Sequence, residues 1–298
     1  CRADGDHLTL DGAAVSLPDI LVSKAGNSAM IVQAIRSAVF YLFFFVHTFI
    51  LAIIIGLMAR LTPNLKSTGW SLAQYWNGAN LFFLRWLVGI RTEVTGMDNI
   101  PQGGCIIGAK HQSDWDIFAM LPHVGRPAFI AKRELLDIPL FGWAARWMDT
   151  ISVDRKRGKD ALPAMTQEAR EALDKGCRVI IFPEGTRRAP LDTPAYRSGI
   201  VRMYLAMDVP VVPVALTSGL YWGRNSLVLW PGTARAKFLE PIMPGLSGEQ
   251  FLKTLIARIE TETNAMVLED ARKGLARPIS PRLRARINEL EAQSGTAS

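Results

Sequence analysis

Apolar and polar residues are distributed very unevenly along this chain. The segment 37–59 contains no Asp, Glu, Lys or Arg and is apolar almost throughout. Twenty-three helical residues rise about 34 Å, which is enough to cross a hydrocarbon core of about 30 Å. We therefore predict an apolar helix here that anchors the chain to a membrane. A fully buried helix of a soluble domain is the alternative.

A second apolar pattern follows after a break at Thr62–Asn64, where Pro63 interrupts the helix. Between Trp70 and Ile90, large apolar residues recur at steps of three and four, with polar residues between them. This spacing predicts an amphipathic helix rich in Trp and Phe, of the kind that lies in a membrane interface. The same face would also suit packing on the chain's own domain, and both uses are compatible.

From Arg91 onward, short apolar runs alternate with helical periodicity. Strands are predicted at 91–95, 105–109, 127–131, 150–153, 178–182, 211–216 and 234–239, and helices at 115–122, 133–137, 139–148, 160–175, 194–206 and 247–271. Such alternation predicts an α/β fold with a mostly parallel central sheet flanked by helices.

The patterns divide the chain into four segments. Residues 1–29 are polar, lack the order of a signal peptide, and are predicted to be a disordered leader or upstream sequence foreign to the native protein. Residues 30–90 form a membrane-associated two-helix segment, and 91–275 form the α/β domain. Residues 276–298 form a basic tail, predicted as a solvated helix with a frayed end, or alternatively as a contact to anionic lipid.

Composition narrows the class of partner. The 298 residues are 49% hydrophobic, with mean hydropathy +0.15, net charge +7 and a pI near 9.5. A basic, apolar-rich chain suits a nucleic acid or an anionic membrane surface. No basic strip interleaved with aromatic residues is present, so we predict the membrane surface and no nucleic acid. Cys1, Cys105 and Cys177 give neither a disulfide framework nor a metal spacing, which fits a reducing compartment and no bound metal.

The first candidate catalytic residues follow the predicted strand 105–109. His111 follows this strand, and Asp116 lies five residues further on, with Ser113 and Asp114 between them as candidate helix N-caps. If a helix starts there, its first turn folds Asp116 back toward the His111 ring. The carboxylate would then hold one ring nitrogen and leave the other free to accept a proton. A surface loop with an incidental His is the alternative.

A second polar stretch, Phe182–Arg187, follows the predicted strand at 178–182. Arg187 is suited to phosphate because its planar fork donates two parallel hydrogen bonds. Gly185 allows backbone amides to approach an anion, and Thr186 adds a hydroxyl donor. A tight turn with a surface Arg–Glu pair is the alternative.

The two stretches together resemble the glycerophosphate acyltransferase family, which is marked by a His-x4-Asp motif followed about seventy residues later by Phe-Pro-Glu-Gly-Thr-Arg. Two weaker blocks of the family are matched by Ile151–Arg155 and Val209–Val214. The resemblance covers roughly residues 80 to 240 and is strongest to bacterial lysophosphatidate acyltransferases of the PlsC type. It implies transfer of an acyl chain to the sn-2 hydroxyl of 1-acylglycerol 3-phosphate, giving phosphatidate.

The resemblance also implies roles for individual residues. His111 would be the catalytic base and Asp116 its orienting partner. The residues implied to bind the glycerol phosphate are Glu184, Gly185, Thr186 and Arg187, with Arg155 and Lys132 as further cations. Glu184 would hold Arg187, Arg155 or the glycerol hydroxyl rather than the anion itself. Lys110 stands where the family often has Asn, and is expected to add positive charge beside the phosphate or the acyl donor.

The implied reaction uses no cofactor and no metal, only acyl-CoA or acyl-carrier protein as co-substrate. The implied location is a bacterial inner membrane, with the catalytic domain on its cytoplasmic face. Three rival interpretations remain. The chain could acylate another lysolipid such as lyso-ornithine lipid, or be a non-catalytic membrane lipid-binding protein, which His111 and Asp116 argue against. A serine hydrolase is disfavoured because no Gly-x-Ser-x-Gly elbow occurs.

Overall fold

A computed structural model describes the backbone of residues 7–10, 13–192 and 196–295, and the side chains of 28–154, 156–158, 160–192 and 196–293. A short hairpin, β1 (His7–Leu10) and β2 (Ala13–Ser16), precedes the main body. The strands of the central sheet are β3 (Ile90–Thr95), β4 (Ile106–Ala109), β5 (Pro127–Lys132), β6 (Ile151–Val153), β7 (Arg178–Ile181), β8 (Val211–Leu216) and β9 (Gly232–Phe238). The helices are α1 (Leu17–Leu61), α2 (Lys66–Phe83), α3 (Trp115–Met120), α4 (Arg133–Leu136), α5 (Phe141–Trp147), α6 (Leu162–Asp174), α7 (Ser198–Met207), α8 (Gly248–Lys273) and α9 (Pro281–Gly295).

The central sheet is mostly parallel. Its strand order is β3-β9-β8-β4-β7-β5-β6, and every neighbouring pair is parallel except β8 and β9. Strands β4 to β8 therefore run one way, and β3 and β9 run the other way. This confirms the predicted α/β class, and each predicted strand is present to within two residues at either end.

Each face of the sheet is covered by its own layer of helices. Successive strand residues point to opposite faces, so Ile107 packs with the layer that includes α1 and α3, while Ile106 packs with α6, α7 and α8. All four residues of β4 and all six of β8 are buried. Strands covered on both faces are apolar throughout, which explains why these two appear in the sequence as unbroken apolar runs.

Helix α1 lies along the α/β domain over most of its length. The Gln33 amide donates to the carbonyl oxygens of Val88 and Leu229, and Phe40 is fully buried. Further along, α1 approaches α5 so closely that a Cβ on Gly56 would lie 2.4 Å from the Leu140 carbonyl oxygen. The contacts from residue 33 to residue 56 span about 35 Å. The predicted anchoring helix is therefore docked on the domain along one side.

The opposite side of α1 is apolar and exposed. It carries Ile35, Val39, Leu42, Phe45, Val46, Phe49, Ile50, Ile54 and Leu57. The stretch Ser28–Leu61 is long and apolar enough to cross a membrane by length and composition alone. Helix α2, predicted at 70–90, instead occupies 66–83 and continues into a π-helical turn at Leu84–Val88, and it too exposes large apolar side chains such as Phe82.

The two ends of the chain differ from the predictions. Helix α1 begins at Leu17, so residues 17–29 are helical and are not a disordered leader; the alternative prediction, upstream sequence foreign to the native protein, stays a prediction. Residues 1–6, 11 and 12 of that predicted leader lie outside the described part of the chain. The predicted solvated tail contains α9, which buries Leu283 and Ile287 in the core and is therefore not solvated on that side.

Candidate active site

The two candidate motifs meet because β4 and β7 are neighbours in the sheet. These strands are parallel, with Gly108 opposite Ile181, so the chain leaves both at the same edge. His111 follows β4 by two residues, and Phe182 follows β7 directly. The carboxyl edge of parallel strands is where α/β folds collect their functional side chains.

The His111 ring is held by Asp116. Helix α3 begins at Trp115, so Asp116 lies in its first turn and folds back, as predicted, to place Oδ2 2.9 Å from His111 Nδ1. The same Oδ2 accepts the backbone N–H groups of Gln112 and Ser113 at 2.7 and 3.0 Å. Because an ionised carboxylate can only accept, Nδ1 carries the ring proton and Nε2 is left as the acceptor. Asp116 is fully buried, while the His111 side chain is 18% exposed and can be reached by substrate.

The other carboxylate oxygen of Asp116 has partners that the sequence analysis missed. Oδ1 accepts from the hydroxyls of Ser113 and Ser218. Ser218 lies on the turn Ser218–Leu220 that follows β8, and β8 is the other neighbour of β4. Ser218, like His111, directly follows a predicted apolar strand. Sequence alone does not give the order of the strands, so it could not show that these two strands are neighbours.

The C-terminal tail supports this turn. Arg277 donates from Nη1 to the carbonyl oxygens of Gly219 and Leu220, and the Gly219 N–H donates to Gln112 Oε1 at 2.9 Å. The predicted solvated tail thus contains a residue that holds the segment in contact with Asp116.

Three contacts join the His111 loop to the loop after β7. The Phe182 ring stacks on the imidazole of His111 with centroids 4.0 Å apart. The Arg188 N–H donates to the His111 carbonyl oxygen at 2.8 Å. Arg187 Nη1 lies 2.9 Å from Asp114 Oδ2. The candidate base and the candidate phosphate ligand are therefore fixed relative to each other.

Asp114 and Ser113 only partly fulfil their predicted capping role. Asp114 occupies the N-cap position of α3, but its side chain makes no capping bond and turns to Arg187. Ser113 Oγ accepts the Trp115 N–H at 3.2 Å. Partial burial raises the pKa of Asp114 above its ordinary value, an effect limited by the 42% exposure of its side chain and opposed by the positive charge of Arg187.

Glu184 and Lys110 lie inside the protein. Glu184 is fully buried, and its Oε2 accepts the His111 backbone N–H at 2.8 Å. It therefore holds Lys110 and the His111 amide, and Arg187 pairs with Asp114 instead, so the predicted Glu184–Arg187 contact is wrong. The predicted contacts of Glu184 to Arg155 or a glycerol hydroxyl stay predictions. The prediction that Lys110 adds charge beside a substrate is also wrong. Its side chain is fully buried, and its ammonium faces Glu184 and Glu260.

The remaining predicted residues lie at or near the same sheet edge. Gly185 has φ +70°, and a Cβ there would lie 2.6 Å from Arg197 Nε, so a larger residue would meet both strain and a close contact. Thr186 is half-buried next to it, and Lys132 is an exposed residue at the carboxyl end of β5, which neighbours β7. Arg155 begins the turn Arg155–Ala161 after β6, and its side chain lies outside the described residues.

An apolar cavity of about 190 Å³ lies between α1, α2, α3 and α5. It is lined by side chains of these helices, among them Leu51, Ile55, Trp70, Trp76, Ile117 and Phe141. Its apolar lining suits a hydrocarbon chain. Among the described residues, no group of three or more His, Cys, Asp or Glu side chains is arranged to hold a metal ion.

Comparisons with known proteins agree with this geometry. Residues 91–217 match the family model described as Acyltransferase. The chain is 33% identical over 238 residues to the 1-acyl-sn-glycerol-3-phosphate acyltransferase of Pseudomonas aeruginosa, covering 80% of this chain and 91% of that protein. It is 35% identical over 165 residues to the human 1-acyl-sn-glycerol-3-phosphate acyltransferase alpha, covering 54% of this chain and 58% of the human protein.

A solved structure shares the fold. The crystal structure of the 1-acyl-sn-glycerophosphate acyltransferase PlsC from Thermotoga maritima superposes with a TM-score of 0.66 at 25% identity, covering 78% of this chain and 97% of that protein. The similarity thus extends over nearly the whole of both bacterial relatives. The chain belongs to the acyltransferase family that includes the Pseudomonas aeruginosa 1-acyl-sn-glycerol-3-phosphate acyltransferase.

Proposed function

We propose that this protein transfers a fatty acyl chain from a thioester donor to the sn-2 hydroxyl of 1-acylglycerol 3-phosphate, giving phosphatidate. The observation that carries the proposal is the buried Asp116 carboxylate holding His111 beside Arg187. This pair supplies a base for a hydroxyl next to a cation for a phosphate. The names of the bacterial and human relatives support the same substrate.

The reaction needs a proton acceptor and then a proton donor, and His111 serves as both. Nε2 removes the proton of the acceptor hydroxyl as its oxygen attacks the thioester carbonyl carbon. The tetrahedral intermediate collapses, the carbon–sulfur bond breaks, and the leaving thiolate takes the proton from the imidazolium. Asp116 stabilises the imidazolium while it exists. The acceptor hydroxyl is itself the nucleophile, so no acyl-enzyme, metal or further cofactor enters this scheme.

Arg187 is the proposed phosphate ligand. Its guanidinium has five N–H donors, and Asp114 accepts from one nitrogen, Nη1. A phosphate that arrives there replaces or shares this carboxylate contact. The Gly185 N–H already donates to the Phe182 carbonyl oxygen, so Gly185 would contribute by giving the loop the backbone conformation that presents Thr186 and Arg187. Thr186 would add a hydroxyl, with Lys132 and Arg155 as further cations at the edge.

We propose that α1 and α2 enter one leaflet of the bilayer and do not cross it. A helix docked on the domain over about 35 Å would carry that domain's polar surface into the hydrocarbon if it spanned the membrane. The exposed apolar side of α1 and side chains such as Phe82 and Trp86 instead form a continuous surface for insertion. The net charge of +7 favours an anionic leaflet, and a bacterial inner membrane with the domain on its cytoplasmic face is the proposed location.

This placement brings the two substrates together. The acceptor carries a long chain and resides in the bilayer, whereas the carrier portion of an acyl-CoA or acyl-carrier-protein donor is water-soluble. The apolar cavity between α1, α2, α3 and α5 offers a place for a hydrocarbon chain, and the His111 side chain is partly exposed at the sheet edge.

The test is an assay of the purified protein in lipid vesicles with acyl-CoA and acyl-carrier protein as separate donors. The acceptors are 1-acylglycerol 3-phosphate, 1-acylglycerophosphocholine and lyso-ornithine lipid, and the products are identified by mass. We expect phosphatidate from the first acceptor, with kcat/KM at least about tenfold above the others. A preference for lyso-ornithine lipid would replace the proposed acceptor, and absence of turnover with every acceptor would favour a lipid-binding protein.

A further inference from the structure

Lys110 is a fully buried lysine that the proposed chemistry does not use. Its ammonium nitrogen lies 2.7 Å from Oε1 of Glu260 and 3.3 Å from Oε1 of Glu184. The side chains of Lys110 and Glu184 have no exposure, and that of Glu260 is 14% exposed. Because a buried ion pair is often no more stabilising than an apolar pair of similar size, this cluster calls for an explanation other than stability.

Glu184 connects the charge cluster to the catalytic base. Its Oε1 faces the ammonium of Lys110, and its Oε2 accepts the His111 backbone N–H at 2.8 Å. Lys110 and His111 are adjacent in sequence, but the Lys110 ammonium faces Glu184 and Glu260, whereas the His111 ring contacts Asp116. The ammonium therefore acts on His111 through the Glu184 carboxylate and not directly.

The far end of the cluster is also fixed. Glu260 lies on α8, and its Oε1 accepts the hydroxyl of Tyr196 at 2.9 Å in addition to the Lys110 ammonium. The Lys110 backbone N–H donates to the Val214 carbonyl oxygen at 3.0 Å, which keeps this residue in register with β8. Main chain and side chain of Lys110 are thus both restrained.

We propose that Lys110 is a positioning residue for the catalytic base: its ammonium, clamped between Glu184 and Glu260, fixes the Glu184 carboxylate that holds the backbone N–H of His111. The proposal rests on the proposed role of His111 as base. In a chain without the Lys110 ammonium, the Glu184 side chain would rotate or take up a proton. The loop that orients His111 toward the acceptor hydroxyl would then be less rigid. Such a change costs turnover and leaves both substrate sites intact.

The proposed role of Lys110 also predicts a change in the pH dependence of kcat. Among the described residues, the titratable side chains that interact with Glu184 are Lys110, Glu260 and Tyr196, and His111 meets it through its backbone N–H. Burial raises the pKa of Glu184, and the Lys110 ammonium opposes that rise. Removing the ammonium raises this pKa further, so Glu184 takes up a proton at higher pH. Since a protonated carboxyl is a weaker acceptor for the His111 N–H, the acid limb of kcat moves to higher pH.

The experiment compares three variants of the full chain in vesicles with 1-acylglycerol 3-phosphate and acyl-CoA. Lys110→Met removes the ammonium at similar length. The double variant Lys110→Met with Glu260→Gln removes one positive and one negative charge together, so the buried site keeps its net charge and folding is protected. The matched control is Glu262→Gln on the same helix, whose carboxylate lies 2.7 Å from Lys237 in a partly exposed pair. Rates are expressed per folded molecule.

We expect both Lys110 variants to lose about 10- to 100-fold in kcat with the KM of each substrate within about twofold of the wild type. The acid limb of kcat should move to higher pH in Lys110→Met, and the Glu262 control should match the wild type. Wild-type kcat in the double variant would overturn the proposal, as would a raised acceptor KM at unchanged kcat, which would make Lys110 a substrate contact. Failure of the proposed function itself is distinguishable, because the wild type would then form no phosphatidate.

Discussion

Replacement of Asp116 by Asn removes the negative charge beside His111 and keeps the shape of the side chain. In the wild type, Oδ2 accepts from His111 Nδ1 and from two backbone N–H groups, whereas Oδ1 accepts from the hydroxyls of Ser113 and Ser218. A hydroxyl can turn to accept a hydrogen bond, but a backbone N–H cannot. The Asn amide oxygen should therefore take the Oδ2 position and its NH2 should face the hydroxyls.

This orientation keeps the direction of the His111 ring and leaves the proton on Nδ1. Any loss of kcat in Asp116→Asn therefore comes from the missing negative charge. A hydrogen bond to a charged group contributes about 1.5–3 kcal/mol, against about 0.5–1.5 kcal/mol for a neutral one. With the added loss of support for the imidazolium, we expect Asp116→Asn to reduce kcat about 10- to 100-fold, at about 1.4 kcal/mol per factor of ten. KM for both substrates and the melting temperature should change little.

Comparison with Asp116→Ala separates the effect of the negative charge from the effect of the hydrogen bonds that the side chain accepts. It leaves the buried N–H groups of Gln112 and Ser113 without their acceptor, at a cost of about 1–3 kcal/mol each. This variant should be less active than Asp116→Asn and should also melt earlier. Wild-type kcat in Asp116→Asn would refute the claim that Asp116 acts through His111. A loss as large as that of the Ala variant, with an intact fold, would refute the assigned amide orientation.

Three further predictions follow from contacts elsewhere in the molecule. Arg187→Lys should raise the acceptor KM about tenfold in steady-state assays with a smaller change in kcat, because the ammonium lacks the bidentate fork. Gly56→Ala should lower the melting temperature, because the new Cβ meets the Leu140 carbonyl oxygen at 2.4 Å. The matched control Gly78→Ala has nothing within 4 Å of the new Cβ and should be neutral or stabilising by up to about 1 kcal/mol. Phe45→Lys, on the exposed side of α1, should reduce co-sedimentation with anionic vesicles and spare turnover of a short-chain soluble acceptor.

Each of these has a result that would contradict it. An unchanged acceptor KM in the Arg187 variant would place the phosphate elsewhere. Equal melting temperatures for the two glycine variants would mean that α1 does not approach α5 as described. Undiminished vesicle binding of the Phe45 variant would mean that this side of α1 does not meet lipid.

Much of the fold could be predicted because its strands are short apolar runs with clear ends. Covered on both faces, β4 and β8 have to be apolar throughout, and this makes them visible in sequence. The reversed direction of β3 and β9 could not be predicted, because no local pattern records the direction of a strand. The docking of α1 on the domain could not be predicted for a related reason. The sequence of a helix that is apolar on every side does not show which side faces lipid and which side faces protein.

The site could be predicted only where one stretch of sequence contains both partners. His111 and Asp116 are only five residues apart, and their contact follows from the local geometry of the turn into α3. Ser218 reaches the same carboxylate from the neighbouring strand β8, about a hundred residues away, and strand order is a property of the whole fold. The burial of Lys110 depends on Glu260, 150 positions further along the chain. A lysine after a strand is ordinarily exposed, so only the tertiary structure identifies its partner.

The most direct test of the account measures phosphatidate formation by the wild type and His111→Ala side by side. Both proteins are assayed in vesicles with 1-acylglycerol 3-phosphate and a thioester donor, the product is identified by mass, and circular dichroism establishes that both are folded. We predict that the wild type forms phosphatidate and that His111→Ala loses about two to four orders of magnitude in kcat with its fold intact. Turnover by the folded His111 variant at the wild-type rate would contradict the central claim that His111 is the catalytic base.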